Sequence, residues 1–412
     1  MTASKQAIVF IYIAGQPVPT GQLTTFVDGR YTSSEFVYGS RYIERPDAIA
    51  VDPVTLPLPP PDRKGVVYRT KSDFSVFNGI RDAGPDKWGR YLLDKKYPAS
   101  GLDEFDYIVS SGPDRVGALG FGADPQSGIS AWDGNKFIEP APERFPNLTQ
   151  IQLAVDQAEN PDAPDFQKLL EYGPSLGGAR PKGTVIWNDR LCLAKFSLKS
   201  DGWNLCRGEF ATMKLAAECG MNVPRVDITE VLGKSVYLIE RFDRINGERI
   251  PFHSALTMTD SHESDYGNHS YQDIVEAVSR FSPTPEEDRK ELYRRMVFNI
   301  FCSNTDDHMR NHGVVYAENG QWKLSPLYDV VPFPQSTNTW ALALHISSQG
   351  RLATIENALA AAPAFGVRVK DANFIIEQIR DKVKNWRNHY AACGLTELDI
   401  QKISSCFHIT DL

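Results

Sequence analysis

The order of strands and helices between residues 175 and 329 constrains the fold of this chain most. After a loop of small residues at 175–183, the pattern predicts strands at 184–187 and 191–196, a helix at about 207–219, and strands at 226–231 and 235–240. Gly220 is placed to cap that helix, and Gly233 and Lys234 form the turn between the last two strands. From about residue 270 the chain turns helical. This order predicts a mixed α+β chain.

A polar loop after the long apolar helix carries the strongest chemical signal. Asp306 and Asn311 have the Asp-x-x-x-x-Asn spacing of a kinase catalytic loop, in which the Asp accepts the substrate hydroxyl proton and the Asn reaches a metal. Asp329 follows the next predicted hairpin, where a second magnesium ligand is expected. The alternative is a polar turn that caps the helix, with Asp329 as a surface turn residue. The order of the surrounding elements favours the catalytic interpretation.

A lysine and a glutamate precede that loop in the order that a kinase requires. Lys195 ends a strand among apolar residues, and Glu209 lies fourteen residues later in the following helix. A kinase uses such a lysine to contact phosphate and such a glutamate to orient it. Alternatively, Lys195 extends to water from the strand end, and Glu209 is favoured by the helix dipole.

The loop at 175–183 offers three glycines and two cations, Arg180 and Lys182. Such a loop can bring main-chain amides close to phosphate, or it can be a flexible hinge. Ser175 at its start is either a phosphate acceptor or a hydroxyl that bonds the local backbone. His308, inside the polar loop, either contacts nucleotide or metal or holds the loop as a buried hydrogen-bonding histidine.

Composition excludes several classes of protein. The chain has 412 residues, which suits two or three packed subdomains. Lys and Arg total 44 against 52 Asp and Glu, a net charge of −8, so there is no bulk basic surface for nucleic acid or an anionic membrane. Six single cysteines predict neither a zinc site nor a disulfide framework. The apolar run at 8–14 reads as a strand, and we expect a cytoplasmic protein.

The local patterns make further predictions. Strands are expected at 8–14 and 21–27, with a turn at Asp28 and Gly29. A hairpin of strands 313–316 and 322–324 is expected to turn at Asn319 and Gly320. An apolar stripe from Ile375 to Tyr390 predicts one C-terminal helix, and Glu209 is expected in the first turn of the helix at about 207–219.

Four motifs together resemble the HipA-type serine/threonine kinases, the toxins of type II toxin–antitoxin pairs. They are Ser175-x-Gly177-Gly178-Ala179-x-x-Lys182, Ile239-Glu240-Arg241-Phe242-Asp243-Arg244, Asn304-Thr305-Asp306-x-His308-x-x-Asn311 and Tyr328-Asp329-Val330. The N-terminal third is similar too, in Phe36-x-Tyr38, Arg81-Asp82-x-x-Pro85-Asp86 and Arg115-x-Gly117-Ala118. The resemblance therefore spans nearly the whole chain.

The resemblance implies a two-lobed protein-kinase-like α+β fold with an extra mixed α/β N-terminal subdomain and a mainly helical C-lobe. The implied domains are residues 1–140, 141–240 and 241–412. It implies ATP and Mg²⁺ as cofactors, with Asp306 as base, Asn311 and Asp329 as magnesium ligands and Lys195 as the ATP lysine. The implied phosphate loop and adenine hinge are Gly177, Gly178, Ala179, Arg180, Pro181 and Lys182, and then Glu240, Arg241 and Phe242. We add Glu209 to the catalytic set and His308 to the nucleotide-binding set.

The resemblance also implies a function and partners. The chain would transfer the ATP γ-phosphoryl to a protein Ser or Thr, as a growth-arresting toxin whose relatives target aminoacyl-tRNA synthetases. Autophosphorylation at Ser175 would switch it off. A small helix-turn-helix antitoxin, encoded separately and not fused at the N-terminus, would bind it and DNA. At Phe252-His253-Ser254-Ala255 the chain departs from the acidic patch of many members. A small-molecule phosphotransferase and a non-catalytic corepressor subunit remain as alternatives.

Overall fold

The computed structural model describes residues 3–28, 31–98, 101–140, 145–157, 180–335 and 339–411. The chain forms two compact units. One comprises Met1–Ala194 and Arg241–His253, and the other comprises Lys195–Glu240 and Ser254–Leu412. The division into residues 1–140, 141–240 and 241–412 stays a prediction.

Strands are more frequent before residue 255, and helices are more frequent after it. The strands are β1 (Ala3–Ile13), β2 (Gln16–Asp28), β3 (Tyr31–Tyr38), β4 (Val67–Arg69), β5 (Leu119–Gly122), β6 (Ala131–Trp132), β7 (Phe137–Ile138), β8 (Lys182–Trp187), β9 (Arg190–Phe196), β10 (Val226–Val231), β11 (Lys234–Glu240), β12 (Arg244–Ile245), β13 (Glu248–Arg249), β14 (Phe252–Ser254), β15 (Gly313–Tyr316) and β16 (Trp322–Leu324). The α-helices are α1 (Ser40–Ile43), α2 (Asn78–Arg81), α3 (Lys87–Lys96), α4 (Glu104–Ser110), α5 (Leu148–Asp156), α6 (Leu205–Glu218), α7 (Ala255–Met258), α8 (Tyr271–Phe281), α9 (Pro285–Cys302), α10 (Ile355–Ala361), α11 (Val369–Val383), α12 (Trp386–Ala392) and α13 (Glu397–Ile403).

The first unit is built on a five-stranded sheet in the order β4-β3-β2-β1-β5. Strands β1 and β2 are longer than the sequence predicts, because they comprise 11 and 13 residues and the expected strands at 8–14 and 21–27 cover only part of each. Ala14 and Gly15 turn this hairpin with φ of 49° and 73°, the left-handed pair that a tight hairpin turn needs. The expected turn at Asp28 and Gly29 lies partly outside the described residues.

The second unit contains two hairpins that match their predicted positions. Strands β10 and β11 pair from Val226↔Ile239 to Val231↔Lys234, with Leu232 and Gly233 at positive φ in the turn. Strands β15 and β16 have the predicted bounds, 313–316 and 322–324. Both sequences combine β-branched or aromatic residues with a turn that accepts positive φ, which is why local pattern located them.

Helices form the rest of the second unit, around the apolar half of α9. The sequence predicts one helix from Ile375 to Tyr390, but this is wrong, because the stripe is divided between α11 and α12. The Asn385 N–H donates to the Lys382 carbonyl three residues earlier, at 3.4 Å, which ends the regular α-helical ladder. The new helix lets Trp386 stack on Phe407 with ring centroids 4.1 Å apart.

All six cysteines lie in the described part of the chain, where they are buried thiols that form no disulfide. Within the part of the chain that the structure describes, no helix has the length and apolarity that crossing a membrane requires.

Candidate active site

Lys195 and Glu209 form a buried ion pair in the second unit. Lys195 is the penultimate residue of β9, and Glu209 lies in the second turn of α6, one turn later than the sequence predicts. Asn204 caps that helix, because its side-chain oxygen accepts a hydrogen bond from the Arg207 N–H at 3.0 Å. The Lys195 Nζ donates to Glu209 Oε1 at 2.7 Å. A capped helix and a strand end therefore place the two charges together.

Asp329 completes the cluster from a partly exposed position. Its Oδ1 accepts a hydrogen bond from Lys195 Nζ at 2.6 Å, yet its side chain is 44% exposed. Its φ of 57° is left-handed, a conformation that Asp adopts more readily than most other non-glycine residues. The neighbouring Tyr328 hydroxyl donates to the Arg310 carbonyl at 2.8 Å, so the segment is attached to the polar loop.

The charges around Lys195 keep it a cation. Burial alone lowers the pKa of Lys195, but the carboxylates of Asp329 and Glu209 outweigh that effect and hold the pKa above its ordinary value. The Nζ also lies 5.9 Å from the centroid of the Tyr237 ring. A permanent cation with a half-exposed carboxylate beside it can bind an anionic ligand together with a metal ion.

The predicted catalytic loop follows α9. Ser303 ends the helix with φ of 49°, and the loop then turns so that Asp306 is exposed. Asn311 lies at the other end of the loop, and its Nδ2 donates to the Asp306 carbonyl at 2.6 Å. His308 is half-buried, and its Nδ1 accepts from the Arg310 N–H at 3.3 Å. The geometry agrees with a histidine that holds the loop, and its nucleotide contact stays a prediction.

Asp307 is a residue that the sequence analysis missed. It is buried, and it accepts hydrogen bonds from the Tyr271 hydroxyl at 2.6 Å and from the Ala343 N–H at 2.7 Å. Burial raises the pKa of Asp307 to about 7 despite these bonds. Burial likewise lowers the pKa of His312 to about 3, so this neighbour is neutral at physiological pH. A second aspartate directly beside Asp306 was the only signal in the sequence.

The predicted phosphate loop is described only at its end. Ser175, Gly177, Gly178 and Ala179 lie outside the described residues, whereas Arg180, Pro181 and Lys182 lie within them. In the first unit, Lys182 is buried at the start of β8 and its Nζ contacts Asp86 Oδ2 at 3.3 Å. Burial raises the pKa of Asp86 to about 6, even with Lys182 beside it. A phosphate contact from Lys182 stays a prediction.

The side chain of Arg241 is enclosed by carboxylate partners and is not open to solvent. It is bidentate to Asp243, with nitrogen–oxygen distances of 2.9 and 2.7 Å, and it also binds Asp114. The Arg241 N–H donates to the Leu191 carbonyl at 3.0 Å. The Arg241 carbonyl accepts a hydrogen bond from the Arg244 N–H at 3.3 Å, so both main-chain polar groups of Arg241 are engaged within the first unit. The hinge roles of Glu240, Arg241 and Phe242 stay predictions.

The donors fit the predicted metal in chemical type. Asn311 and Asp329 carry amide and carboxylate oxygens, the hard ligands that Mg²⁺ takes alongside phosphate and water. Among the described residues, no group of three or more His, Cys, Asp or Glu side chains is placed to hold a metal. The metal-ligand roles of Asn311 and Asp329 stay predictions.

Comparisons with known proteins agree on one family. The family model described as the HipA-like C-terminal domain matches residues 174–387. A putative kinase of Haemophilus influenzae is 28% identical over 199 residues, which cover 42% of this chain and 58% of that protein. The serine/threonine-protein kinase toxin HipA of Shewanella oneidensis is 29% identical over 292 residues, 64% of each chain. The chain thus spans less than two thirds of these two relatives.

A solved structure extends the similarity to nearly the whole chain. It is the complex of HipA, HipB and operator DNA from Shewanella oneidensis MR-1. The TM-score is 0.68 at 17% identity, and the match covers 97% of this chain and 95% of that one. At this identity the similarity shows the fold, and the predicted α+β kinase-like class is confirmed.

Proposed function

Because the chain belongs to the HipA-like family, whose model matches residues 174–387, we propose that it is an ATP-dependent serine/threonine protein kinase. The observation that carries the proposal is the contact of Lys195 with both Glu209 and Asp329, at 2.7 and 2.6 Å. A kinase needs a lysine for the nucleotide phosphates, a glutamate that orients it and a metal-binding aspartate. Here the lysine is bound to both the glutamate and the aspartate.

Each residue of the cluster has one task in this proposal. Lys195 binds the phosphates of ATP, and its fixed positive charge is worth more there because the site excludes water from its Nζ. Glu209 keeps the Lys195 side chain extended across the site. Asp329 faces solvent more than Glu209 does, so it is the carboxylate that can leave the lysine and accept a metal.

The polar loop supplies the remaining groups. Asp306 accepts the proton of the attacking hydroxyl, a role that suits an exposed carboxylate on a fixed loop. Asn311 holds the loop through the Asp306 carbonyl and keeps its amide oxygen for the metal. Mg²⁺ held by Asn311 and Asp329 would neutralise charge on the phosphates.

We also propose a partner and a biological role. The similar Shewanella structure contains HipB and operator DNA. By analogy, a small helix-turn-helix antitoxin would bind this chain, and DNA contact would come through that partner, since the chain has a net charge of −8. The chain would act in the cytoplasm as a growth-arresting toxin on a protein target such as an aminoacyl-tRNA synthetase.

Autophosphorylation at Ser175 is the regulatory part of the proposal, and it rests on the sequence. A phosphate there adds about −1.5 to −2 charge, which bound ATP repels. Incubation with ATP and Mg²⁺ followed by mass spectrometry should find phosphate on Ser175, and the modified form should bind ATP more weakly. An unmodified Ser175 in an active preparation would remove the switch.

Transfer of labelled γ-phosphate to protein tests the activity itself. Asp306→Asn should reduce transfer by roughly a hundredfold or more while ATP still binds. Asp381→Asn is the matched control, because it neutralises an exposed carboxylate on α11 of the same unit. Label that appears only on a small molecule would favour the small-molecule phosphotransferase. Antitoxin binding without any transfer would favour the corepressor.

A further inference from the structure

A chain of buried hydrogen bonds holds the loop on both sides of Asp306. It begins at Asn304, whose Nδ2 donates to Asn299 Oδ1 at 3.1 Å. Asn299 Nδ2 donates to the hydroxyl oxygen of Tyr271 at 3.1 Å, and that hydroxyl donates to Asp307 Oδ2 at 2.6 Å. The chain therefore connects the residue two places before Asp306 to the residue directly after it.

Asp307 also binds a distant main-chain segment. Its Oδ1 accepts from the Ala343 N–H at 2.7 Å, and the Leu344 N–H bonds to its carboxyl group as well. The same segment also binds Tyr271 directly, because the Tyr271 N–H donates to the His345 carbonyl at 3.0 Å. A buried carboxyl group needs such donors to offset its desolvation. The loop and residues 343–345 therefore hold each other.

Asp306 differs from both of its anchored neighbours. Asn304 and Asp307 are 2% and 1% exposed, whereas Asp306 is exposed. Its carbonyl is fixed by Asn311 Nδ2 at 2.6 Å and by the His308 N–H at 2.9 Å. The Asp306 backbone is thus fixed while its carboxylate is left at the surface, the arrangement that a precisely placed proton acceptor requires.

We propose that Asp307 is a positioning residue, which places the Asp306 carboxylate by tying its loop to Tyr271 and to the main chain of Ala343 and Leu344. This inference rests on the proposed kinase function. The hydrogen bonds that carry it do not include the Lys195 cluster. Loss of Asp307 should therefore lower kcat by a much larger factor than it lowers the affinity for ATP.

Three variants remove these hydrogen bonds to different extents. Asp307→Ala removes both acceptor oxygens. Asp307→Asn keeps one acceptor for the Ala343 N–H, and Tyr271→Phe removes only the hydroxyl, keeping the ring 5.4 Å from that of His312. Since a displacement of about 1 Å can cost a hundredfold in rate, we expect kcat to fall roughly tenfold to a hundredfold in Asp307→Ala. The two milder variants should lose less.

A matched control separates positioning from ordinary stability. Tyr293 is also buried in the second unit, and its hydroxyl donates to the Ala358 carbonyl at 3.0 Å, away from the loop. Tyr293→Phe should lower the melting temperature much as Tyr271→Phe does, with kcat unchanged. An equal loss of kcat in both tyrosine variants would overturn the proposal. If Asp307→Ala does not fold, Asp307→Asn and Tyr271→Phe carry the test.

A double variant asks whether Asp307 acts through Asp306. When two residues act as a unit, removing the second adds little to removing the first. Asp307→Ala in the Asp306→Asn background should therefore lower the residual rate no further. A further loss as large as in the wild-type background would overturn the proposal, as would a weaker ATP affinity that accounts for the loss.

Hydrogen exchange gives a readout that does not require activity. The amides of Ala343 and Leu344 should exchange faster in Asp307→Ala than in the wild type. Unchanged exchange would overturn the proposal, and so would faster exchange with an unaltered kcat, because the bond would then be structural only. An inactive wild type would instead overturn the proposed kinase function. An active wild type with normal kcat in Asp307→Ala overturns the positioning role alone.

Discussion

Each unit of the molecule contains a buried cation between two carboxylates, and the two clusters differ in their access to solvent. In the first unit, Arg241 lies between Asp114 and Asp243, and the side chains of the three are 4%, 12% and 7% exposed. In the second unit, Lys195 lies between Glu209 and Asp329, and the Asp329 side chain is 44% exposed. One cluster is closed on every side, and the other is open at one carboxylate.

This difference separates a structural cluster from a reactive one. In the closed cluster the Arg241 fork satisfies Asp243 with two bonds, and Arg244 and the Gly117 N–H bind the same carboxylate. In the open cluster the carboxylate of Asp329 is the member that solvent and a ligand can reach. We therefore propose that the first cluster serves stability and that the second serves ligand binding.

Arg241→Met should give the largest change in stability. It removes the cation that binds both Asp114 and Asp243 and leaves the two buried carboxylates with Arg244 alone, and breaking a buried ion pair typically costs about 3–5 kcal/mol. Lys195→Met should cost less, because water can reach Asp329. Denaturant unfolding of both variants checks the order. Equal losses in the two variants would remove the distinction between the clusters.

Asp329→Asn should have the opposite profile, a small change in stability and a large change in binding. Asn accepts left-handed φ readily, and a half-exposed ion pair is worth about 1 kcal/mol or less. Without the carboxylate, however, the affinity for Mg²⁺–ATP should fall at least about tenfold, or 1.4 kcal/mol. Unfolding and calorimetry on one preparation test both parts. A large loss of stability with normal binding would reverse the assignment.

The two clusters should also weaken at opposite ends of the pH scale. Burial raises the pKa of Asp243, but Arg241 and Arg244 outweigh it and hold the pKa below its ordinary value of 3.8. This stabilisation is complete above pH 3.8 and is lost as the pH falls further. The pKa of Lys195 is raised, so its contribution is complete below its ordinary value of 10.5 and is lost above that.

This prediction is checked by measuring the free energy of unfolding as a function of pH in the wild type and in two variants. Arg241→Met should flatten the acid limb, and Lys195→Met should flatten the alkaline limb. Each variant serves as the control for the other. An acid limb unchanged in Arg241→Met, or an alkaline limb unchanged in Lys195→Met, would contradict the assigned charges.

The smallest expected effect concerns the helix that presents Glu209. Asn204→Ala removes the N-cap of α6, which should cost about 1 kcal/mol of stability. Because Glu209 is held by tertiary packing as well, ATP affinity should fall less than in Asp329→Asn. Thermal unfolding and calorimetry measure the two changes. An ATP affinity lower than that of Asp329→Asn would mean that the cap, more than the metal ligand, controls the site.

Much of the second unit could be predicted because its signals are local. The bounds of β15 and β16 follow from short apolar runs around Asn319 and Gly320, which both have positive φ. The element order also indicated that Lys195, Glu209 and Asp329 belong together, although Lys195 and Asp329 are 134 positions apart in the sequence. The contacts could therefore be anticipated from the sequence, whereas the roles of these residues stay predictions.

The rest depends on contacts that no local pattern reveals. Arg241 binds Asp114 across 127 positions, and nothing near Arg241 in the sequence indicates that its side chain is enclosed. Asp307 looks like a second polar loop residue until Tyr271 and Ala343 are placed beside it. The break before Trp386 was missed for the same reason, since its stacking on Phe407 is a tertiary contact.

The most direct test of the account is calorimetric binding of ATP with Mg²⁺ to Lys195→Met and to Lys214→Met. Lys214 is an exposed lysine of the same unit, on α6, and its ammonium lies over the Phe210 ring. We predict that Lys214→Met binds as the wild type does and that Lys195→Met binds at least about tenfold more weakly while remaining folded. Wild-type affinity in a folded Lys195→Met would contradict the claim that the open cluster is the nucleotide site.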